Sequence, residues 1–174
     1  MRLCPVRESA SHRPVSRWAK KLRVSIRFAA ASDLNGILEV ERLSFPSRKQ
    51  WDIGDFEDAL KDFFLVFVDE EISGFLVASC WENSKRAVIL RIAVHPDHRK
   101  RGIAIRLIEA AIGKFRGMGI REVEIDVEIV KRGAIQLYEK VGFRTVRGIP
   151  MDKNNTMSDE NGSFYLMKMV IGET

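Results

Sequence analysis

The sequence predicts a single mixed α/β domain: a twisted, mostly antiparallel sheet of about six to seven strands flanked by about four helices. Three observations carry this. Short apolar runs with period-two alternation recur along the chain between turn signals. Two of them follow each other as hairpins, which makes an antiparallel meander. A later strand–helix–strand step needs a crossover, and therefore a parallel pair.

The elements follow in order. Residues 24–30 alternate Val24, Ile26 and Phe28 against Ser25 and Arg27, a strand pattern. Ser32 is placed to cap a helix over residues 32–43, with Leu34, Ile37 and Leu38 at helical spacing and Phe45-Pro46 as its stop. Residues 55–64 read as a second helix, apolar at Phe56, Ala59, Leu60 and Phe63. Residues 65–68 and 72–81 form a hairpin around Asp69, Glu70 and Glu71; Glu82, Asn83 and Ser84 turn the chain into a strand over 87–94. A helix over 103–116 has Ile103, Leu107, Ile108, Ala111, Ile112 and Phe115 on one face and stops at Gly117-Met118-Gly119. A strand over 122–129, a helix over 132–141 ended by Gly142, and strands over 144–149 and 164–171 complete the chain. Residues 150–162 are long and polar for a hairpin connection, a functional loop or a disordered one.

Charge divides the chain in two. The formal net charge is +5, but residues 1–23 hold seven bases and one acid, a net charge of +6, and the remainder is at −1. The chain is therefore an extension over 1–23 followed by a nearly neutral domain over 24–174, which argues against a nucleic-acid partner. The extension is read as a floppy basic arm or a start placed upstream of Val24; its Arg- and Ser-rich composition also overlaps with transit peptides. No apolar run reaches the roughly 18–20 residues of a membrane span. Cys4 and Cys80 form no CxxC pair, His12, His95 and His98 have no metal-ligand spacing, and the sequons at Asn154 and Asn161 read as chance. A cytoplasmic protein without a metal, monomeric or homodimeric, is expected.

Two stretches carry chemistry. Ile92, Ala93 and Val94 run into a basic turn holding Arg99, Lys100, Arg101 and Gly102, then into a helix start at Ile103 and Ala104. Glycine lets a ligand approach the backbone, and the amides of Arg101 to Ala104 are unpaired donors at a helix N-terminus, a site suited to a pyrophosphate. A solvated basic turn has the same composition. GxxxxGK[ST] is absent, and Gly117-Met118-Gly119 follows a helix, so neither phosphate motif applies. Further on, Glu122, Glu124, Asp126 and Glu128 alternate with Val123, Ile125, Val127 and Ile129. Four like charges on one face raise one another's pKa and favour a general base near neutral pH, or they form an exposed strand face.

Arg99-x-x-Gly102-x-Ala104 after Ile92-Ala93-Val94, with Leu137-Tyr138-Glu139-Lys140-Val141-Gly142-Phe143 downstream, resembles the GNAT N-acetyltransferases, over residues 24 to about 171. Among them it is similar to the RimI/Ard1-like protein N-terminal acetyltransferases. The resemblance implies the GNAT fold and acetyl-CoA as co-substrate. The cofactor's arm would lie on the backbone of Ile92, Ala93 and Val94, its pyrophosphate on residues 99–104, with Lys131 contributing. It makes Asp126, twelve residues before Tyr138, the general base, with Glu128 or another acid of the strand as the alternative, and Tyr138 the general acid that protonates the CoA thiolate. Tyr138 also sits on what would be the core face of its helix. Glu41, Phe45 and Glu128 fall on the substrate side. The implied reaction is acetyl transfer to a primary amine, most directly a protein N-terminus; a small-molecule amine is the alternative acceptor, and a non-catalytic CoA-binding module the alternative of another class. Three positions depart from the subgroup: Asp126 stands where Glu is usual, Lys131 where Asn is frequent, and Gly148-Ile149-Pro150-Met151 where a Tyr-Tyr pair is frequent.

Overall fold

The computed structural model of the chain describes residues 24–150 and 163–172. The basic extension 1–23, with Cys4 and His12, and the segment 151–162, with both sequons and Met151, lie outside the described residues.

Among the described residues seven strands form one sheet: β1 (Ser25–Phe28), β2 (Phe63–Asp69), β3 (Glu71–Trp81), β4 (Arg86–Val94), β5 (Glu122–Glu128), β6 (Arg144–Pro150) and β7 (Ser163–Val170), in the order β1-β2-β3-β4-β5-β7-β6. Every neighbouring pair is antiparallel except β4 and β5. The helices are α1 (Leu34–Ser44), α2 (Ile53–Ala59), α3 (Ile103–Gly117) and α4 (Arg132–Val141). The expected single α/β domain, with a mostly antiparallel sheet of seven strands and four helices among the described residues, stands as read from the sequence.

The sheet is covered on both faces. On one, α3 buries the predicted stripe from Ile103 to Phe115 against Leu65, Leu76, Ile125 and Met167. On the other, Ile37 and Val40 of α1 and Phe56 of α2 pack on Phe64, Phe75 and Ala93. Full burial of side chains of this size contributes roughly 1.5–3 kcal/mol each. Gly74 of β3 fixes how closely α3 approaches, since a Cβ there would stand 2.9 Å from Ala93 O and 3.2 Å from Ile103 Cγ2.

Two boundaries differ from expectation. Ser32 does not cap the first helix; a 3-10 turn (Ala31–Asp33) comes first, and Asp33 organises it. The Asp33 carboxylate accepts from the Ala30 amide at 2.8 Å and from both terminal nitrogens of Arg27 at 2.6 and 2.8 Å, a bidentate pairing that a serine cannot match. The second helix is shorter than 55–64. It is capped at Asp52, which exchanges backbone–carboxylate bonds with Asp55, and it ends at Ala59. Phe63 and Phe64 belong to β2 because each packs on an opposite face of the sheet, Phe63 against Phe115 (centroids 4.5 Å apart) and Phe64 against Phe75 (5.9 Å). A strand buried on both faces has no alternation, so its apolar residues were absorbed into a helical period.

The feature that positions the site is a parting of two strands. β4 and β5 pair only from Arg86↔Glu122 to Ile89↔Ile125. On the β3 side the register slips so that Val77 faces Arg91 and Ala78 faces Ile89, leaving Leu90 as a bulge. β5 continues to Glu128 paired with β7 alone. Beyond Ile89 and Ile125 the strands separate, and the facing edge of β4 has no strand partner among the described residues. Among the described residues no helix is long and apolar enough to cross a membrane.

Candidate active site

The parted strands enclose a cleft of about 350 Å³. β4 supplies one side through Ile89 to Ile92, and β5 the other through Ile125 to Glu128. Phe45 and Lys49 also line it, together with Lys131 at the N-cap of α4 and Ala134 and Tyr138 on that helix. The sequence-predicted Ile92, Phe45, Asp126, Glu128, Lys131 and Tyr138 therefore share one cavity.

Just past the C-terminal end of β4 the basic turn has the geometry of an anion cradle. Arg99 Nε donates to Val94 O at 3.1 Å, which folds the turn back on the strand end. Lys100 and Gly102 take positive φ (61° and 75°), and Gly102 opens α3. The helix ladder starts with the Arg106 amide donating to Gly102 O at 3.0 Å, and the amides of Arg101, Gly102, Ile103 and Ala104 have no such backbone bond among the described residues. A Cβ built on Gly102 would meet nothing within 4 Å, so the space over these amides is open. Ile103 itself is buried in the core; only its backbone faces the cradle. These donors, the helix dipole and three adjacent cations fit a pyrophosphate, and the unpaired edge of β4 fits an amide-bearing arm.

The acid face of β5 is not the uniform stripe the alternation implied. Lys168 of β7 lies 3.0 Å from Glu122 and 2.6 Å from Glu124, Arg86 stands 3.6 Å from Glu124, and Glu128 meets Lys49 at 3.0 Å and Lys131 at 3.4 Å. Burial pushes the Glu124 and Glu128 carboxyls up, but hydrogen bonds from Lys168 and Lys49, with the surrounding cations, outweigh it and leave both below the usual range. Mutual repulsion is thus cancelled at three of the four acids. Asp126 is left with no ion pair among the described residues. Desolvation and the charge of Glu124 hold its carboxyl above the usual carboxylate range, against the opposite pull of Arg147 on β6.

Tyr138 is buried, with its ring 6.0 Å from that of Phe143, and yet it lines the cleft. Burial pushes its phenol up to about 12, so it holds its proton. Core side chain and site residue are the same residue here.

Glu41 corrects an expectation. It is fully buried and not open to a substrate. Its carboxylate accepts from both Nε and a terminal nitrogen of Arg91, and from the Trp51 amide at 2.9 Å. Arg91 also donates to Lys49 O at 2.6 Å and stacks 3.8 Å from the Phe45 ring. Lys131 lies 3.4 Å from Glu128 and 5.6 Å from the Phe45 ring. Arg91 and Lys49 were not foreseen. Arg91 could have been, as a lone cation inside an apolar strand that needs a buried acid, with Glu41 the acid inside an apolar helix. Lys49 carried no local signal.

The model of the Acetyltransferase (GNAT) family matches residues 30–143. An N-alpha-acetyltransferase of Saccharolobus solfataricus is 27% identical over 138 residues, covering 71% of this chain and 81% of its own. The solved structure of Ard1 from Thermoplasma volcanium superposes with a TM-score of 0.75 at 22% identity, over 86% of this chain and 99% of that one. Arabidopsis thaliana NAA60 in complex with acetyl-CoA superposes with a TM-score of 0.70 at 23% identity, over 85% and 98%.

Proposed function

The chain belongs to the GNAT acetyltransferase family, and on that premise we propose that it moves an acetyl group from acetyl-CoA to the α-amine of a peptide or protein N-terminus, in the cytoplasm and within one ternary complex. The thioester supplies an activated acetyl group. The residues of this chain supply position and protons. The amides of residues 101–104 and the cations at Arg99, Lys100 and Arg101 hold the pyrophosphate, and the unpaired edge of β4 orients the arm. Asp126 takes a proton from the acceptor ammonium, directly or through one water. The amine then attacks the carbonyl carbon, a C–N bond forms, the C–S bond breaks, Tyr138 gives its proton to the leaving thiolate, and the proton shed by the new amide nitrogen returns to the Tyr138 phenolate. Such positioned acids and bases each contribute roughly 10²–10⁴-fold.

The observation that carries this reading is the pairing of two unlike groups in one cleft. Asp126 is the acid of β5 without an ion pair among the described residues, with its pKa raised, and Tyr138 is a buried phenol that keeps its proton. Environments that push two titratable groups apart support a base and an acid assignment. The relatives named as N-alpha-acetyltransferases support the α-amine as acceptor. Thiol release with acetyl-CoA tests it, using a panel of peptides beside polyamines and aminoglycosides. Turnover of peptides is expected; turnover of small amines with no peptide accepted would replace the acceptor class.

A further inference from the structure

Residues 45–51 connect α1 to α2 and hold one 3-10 turn, Ser47–Lys49. Two of them, Phe45 and Lys49, line the cleft with Asp126. A connection of this kind places side chains only as well as it is itself held. Its inner shape comes from Gln50, whose side chain donates to Phe45 O at 2.7 Å and to Arg42 O at 3.2 Å. Its place against the sheet comes from Arg91. The Nε and Nη2 groups of Arg91 donate to the two carboxylate oxygens of Glu41 on α1, and Nη2 also donates to Lys49 O at 2.6 Å. The guanidinium carbon lies 3.8 Å from the centre of the Phe45 ring and 5.2 Å from that of Trp51, whose amide donates to Glu41 at 2.9 Å. One guanidinium thus meets the connection at both ends and at Lys49 between them.

The bulge in β4 brings Arg91 there. Ile89 faces Ala78, and both belong to the core under α3, whereas Val77 belongs to the core under α1. Strict alternation would set Leu90 opposite Val77 and turn Arg91 toward α3. The extra residue sets Arg91 opposite Val77 instead, on the face of the sheet that carries α1 and Glu41. The pairing of β4 with β5 ends at Ile89, just before it. The parting of the strands and the cation that anchors one wall of the cleft are thus neighbours in the chain.

Resting on the N-terminal acceptor reading, we propose that Arg91, held by Glu41, is a positioning residue for the acceptor: it sets residues 45–51 against β4, so that Phe45 and Lys49 form a wall along which the peptide brings its amine to Asp126. The contacts assigned above to acetyl-CoA rest on the edge of β4 and on the turn at 99–104, and the Arg91 side chain makes none of them. Its work is therefore on the acceptor side alone. Lysine cannot replace it. An ammonium has no planar fork to bond both oxygens of Glu41 together with Lys49 O, and no flat face to lie on Phe45. Lysine does keep a cation beside the buried Glu41, so the variant that loosens the wall still folds.

The experiment measures initial rates with peptide and acetyl-CoA varied in turn, for the unaltered protein, Arg91→Lys and Glu41→Gln. In Arg91→Lys the KM for peptide should rise about tenfold or more, with the KM for acetyl-CoA within about twofold of its starting value. Glu41→Gln keeps an acceptor for the Trp51 amide and loses the charge, so it should act in the same direction and less strongly. Ile112→Ala is the control for stability. It removes packing from α3 on the opposite face of the sheet and should lower the melting temperature while leaving both KM values unmoved. Loss of folded protein lowers the rate per mole of enzyme but not the KM, so the split separates positioning from stability. An unchanged peptide KM in Arg91→Lys overturns the proposal while leaving peptide acetylation standing. Equal rises for peptide and acetyl-CoA, or a rise in peptide KM in Ile112→Ala as large as that in Arg91→Lys, also overturn it. Acetylation of small amines by the unaltered protein with no peptide turned over removes the positioning role and the acceptor reading together.

Discussion

Replacing Arg91 with Met should destabilise the fold far more than an ordinary surface charge deletion. Glu41 has no solvent exposure and the Arg91 side chain has 13%, so the pair lies between α1 and β4 rather than on the surface. Arg91→Met leaves the carboxylate of Glu41 buried with the Trp51 amide as its remaining donor. Stranding one member of a buried ion pair costs about 3–5 kcal/mol. In a domain of this size each kcal/mol moves the melting temperature by about 2–4 °C. The melting temperature should therefore fall by about 6–20 °C. The double variant Glu41→Gln/Arg91→Met keeps an acceptor for the Trp51 amide and removes the stranded charge, so at least half of the loss should return. Thermal unfolding followed by circular dichroism, on both single variants and the double, makes the comparison as a thermodynamic cycle. A fall below about 1 kcal/mol in Arg91→Met would refute the reasoning, as would a double variant no more stable than Arg91→Met.

Three further outcomes concern the site. Tyr138→Phe should lower kcat by roughly 10²-fold with little change in acetyl-CoA affinity, measured by initial rates beside calorimetry; unchanged turnover would remove the phenol from the reaction. The base must be ionised, so activity falls as pH drops through the pKa of Asp126, which lies above the usual range. Glu124→Gln removes a charge that raises it and should move the acid limb of kcat/KM to lower pH, whereas Arg147→Met removes one that lowers it and should move the limb to higher pH. Shifts of the same sign in both would show that another group sets the limb. Gly102→Val sets a side chain over the amides of residues 101–104, in a left-handed position, and should weaken acetyl-CoA binding about tenfold or more, since each bond to a charged phosphate contributes about 1.5–3 kcal/mol; calorimetry reads this directly.

The chain's local patterns revealed much of this structure, and the misses have physical causes. The helix stripe from Ile103 to Phe115 and the left-handed stop at Gly142 follow from local periodicity and backbone preference, and both were readable. The turn through Gly102 was readable because its donors and charges are contiguous in sequence. Asp126 and Tyr138 are singled out by their spacing in the sequence, and in the structure they line one cleft. What local sequence does not encode is which charge meets which. Glu41 and Arg91 are fifty positions apart, Lys49 and Glu128 seventy-nine, Glu122 and Lys168 forty-six. Each acid looked available until its partner arrived through the fold. The same blindness affected Phe63 and Phe64, whose place in a doubly buried strand depends on α3 and β3 rather than on their neighbours.

The central claim is that this cleft acetylates an α-amine. The most direct measurement incubates the protein with acetyl-CoA and a peptide that carries both a free N-terminus and an internal lysine, then locates the acetyl group by fragmentation mass spectrometry. One acetyl group is expected, on the N-terminal nitrogen, lost when Tyr138 is replaced by Phe. Acetylation of the lysine side chain with the N-terminus left free would contradict it.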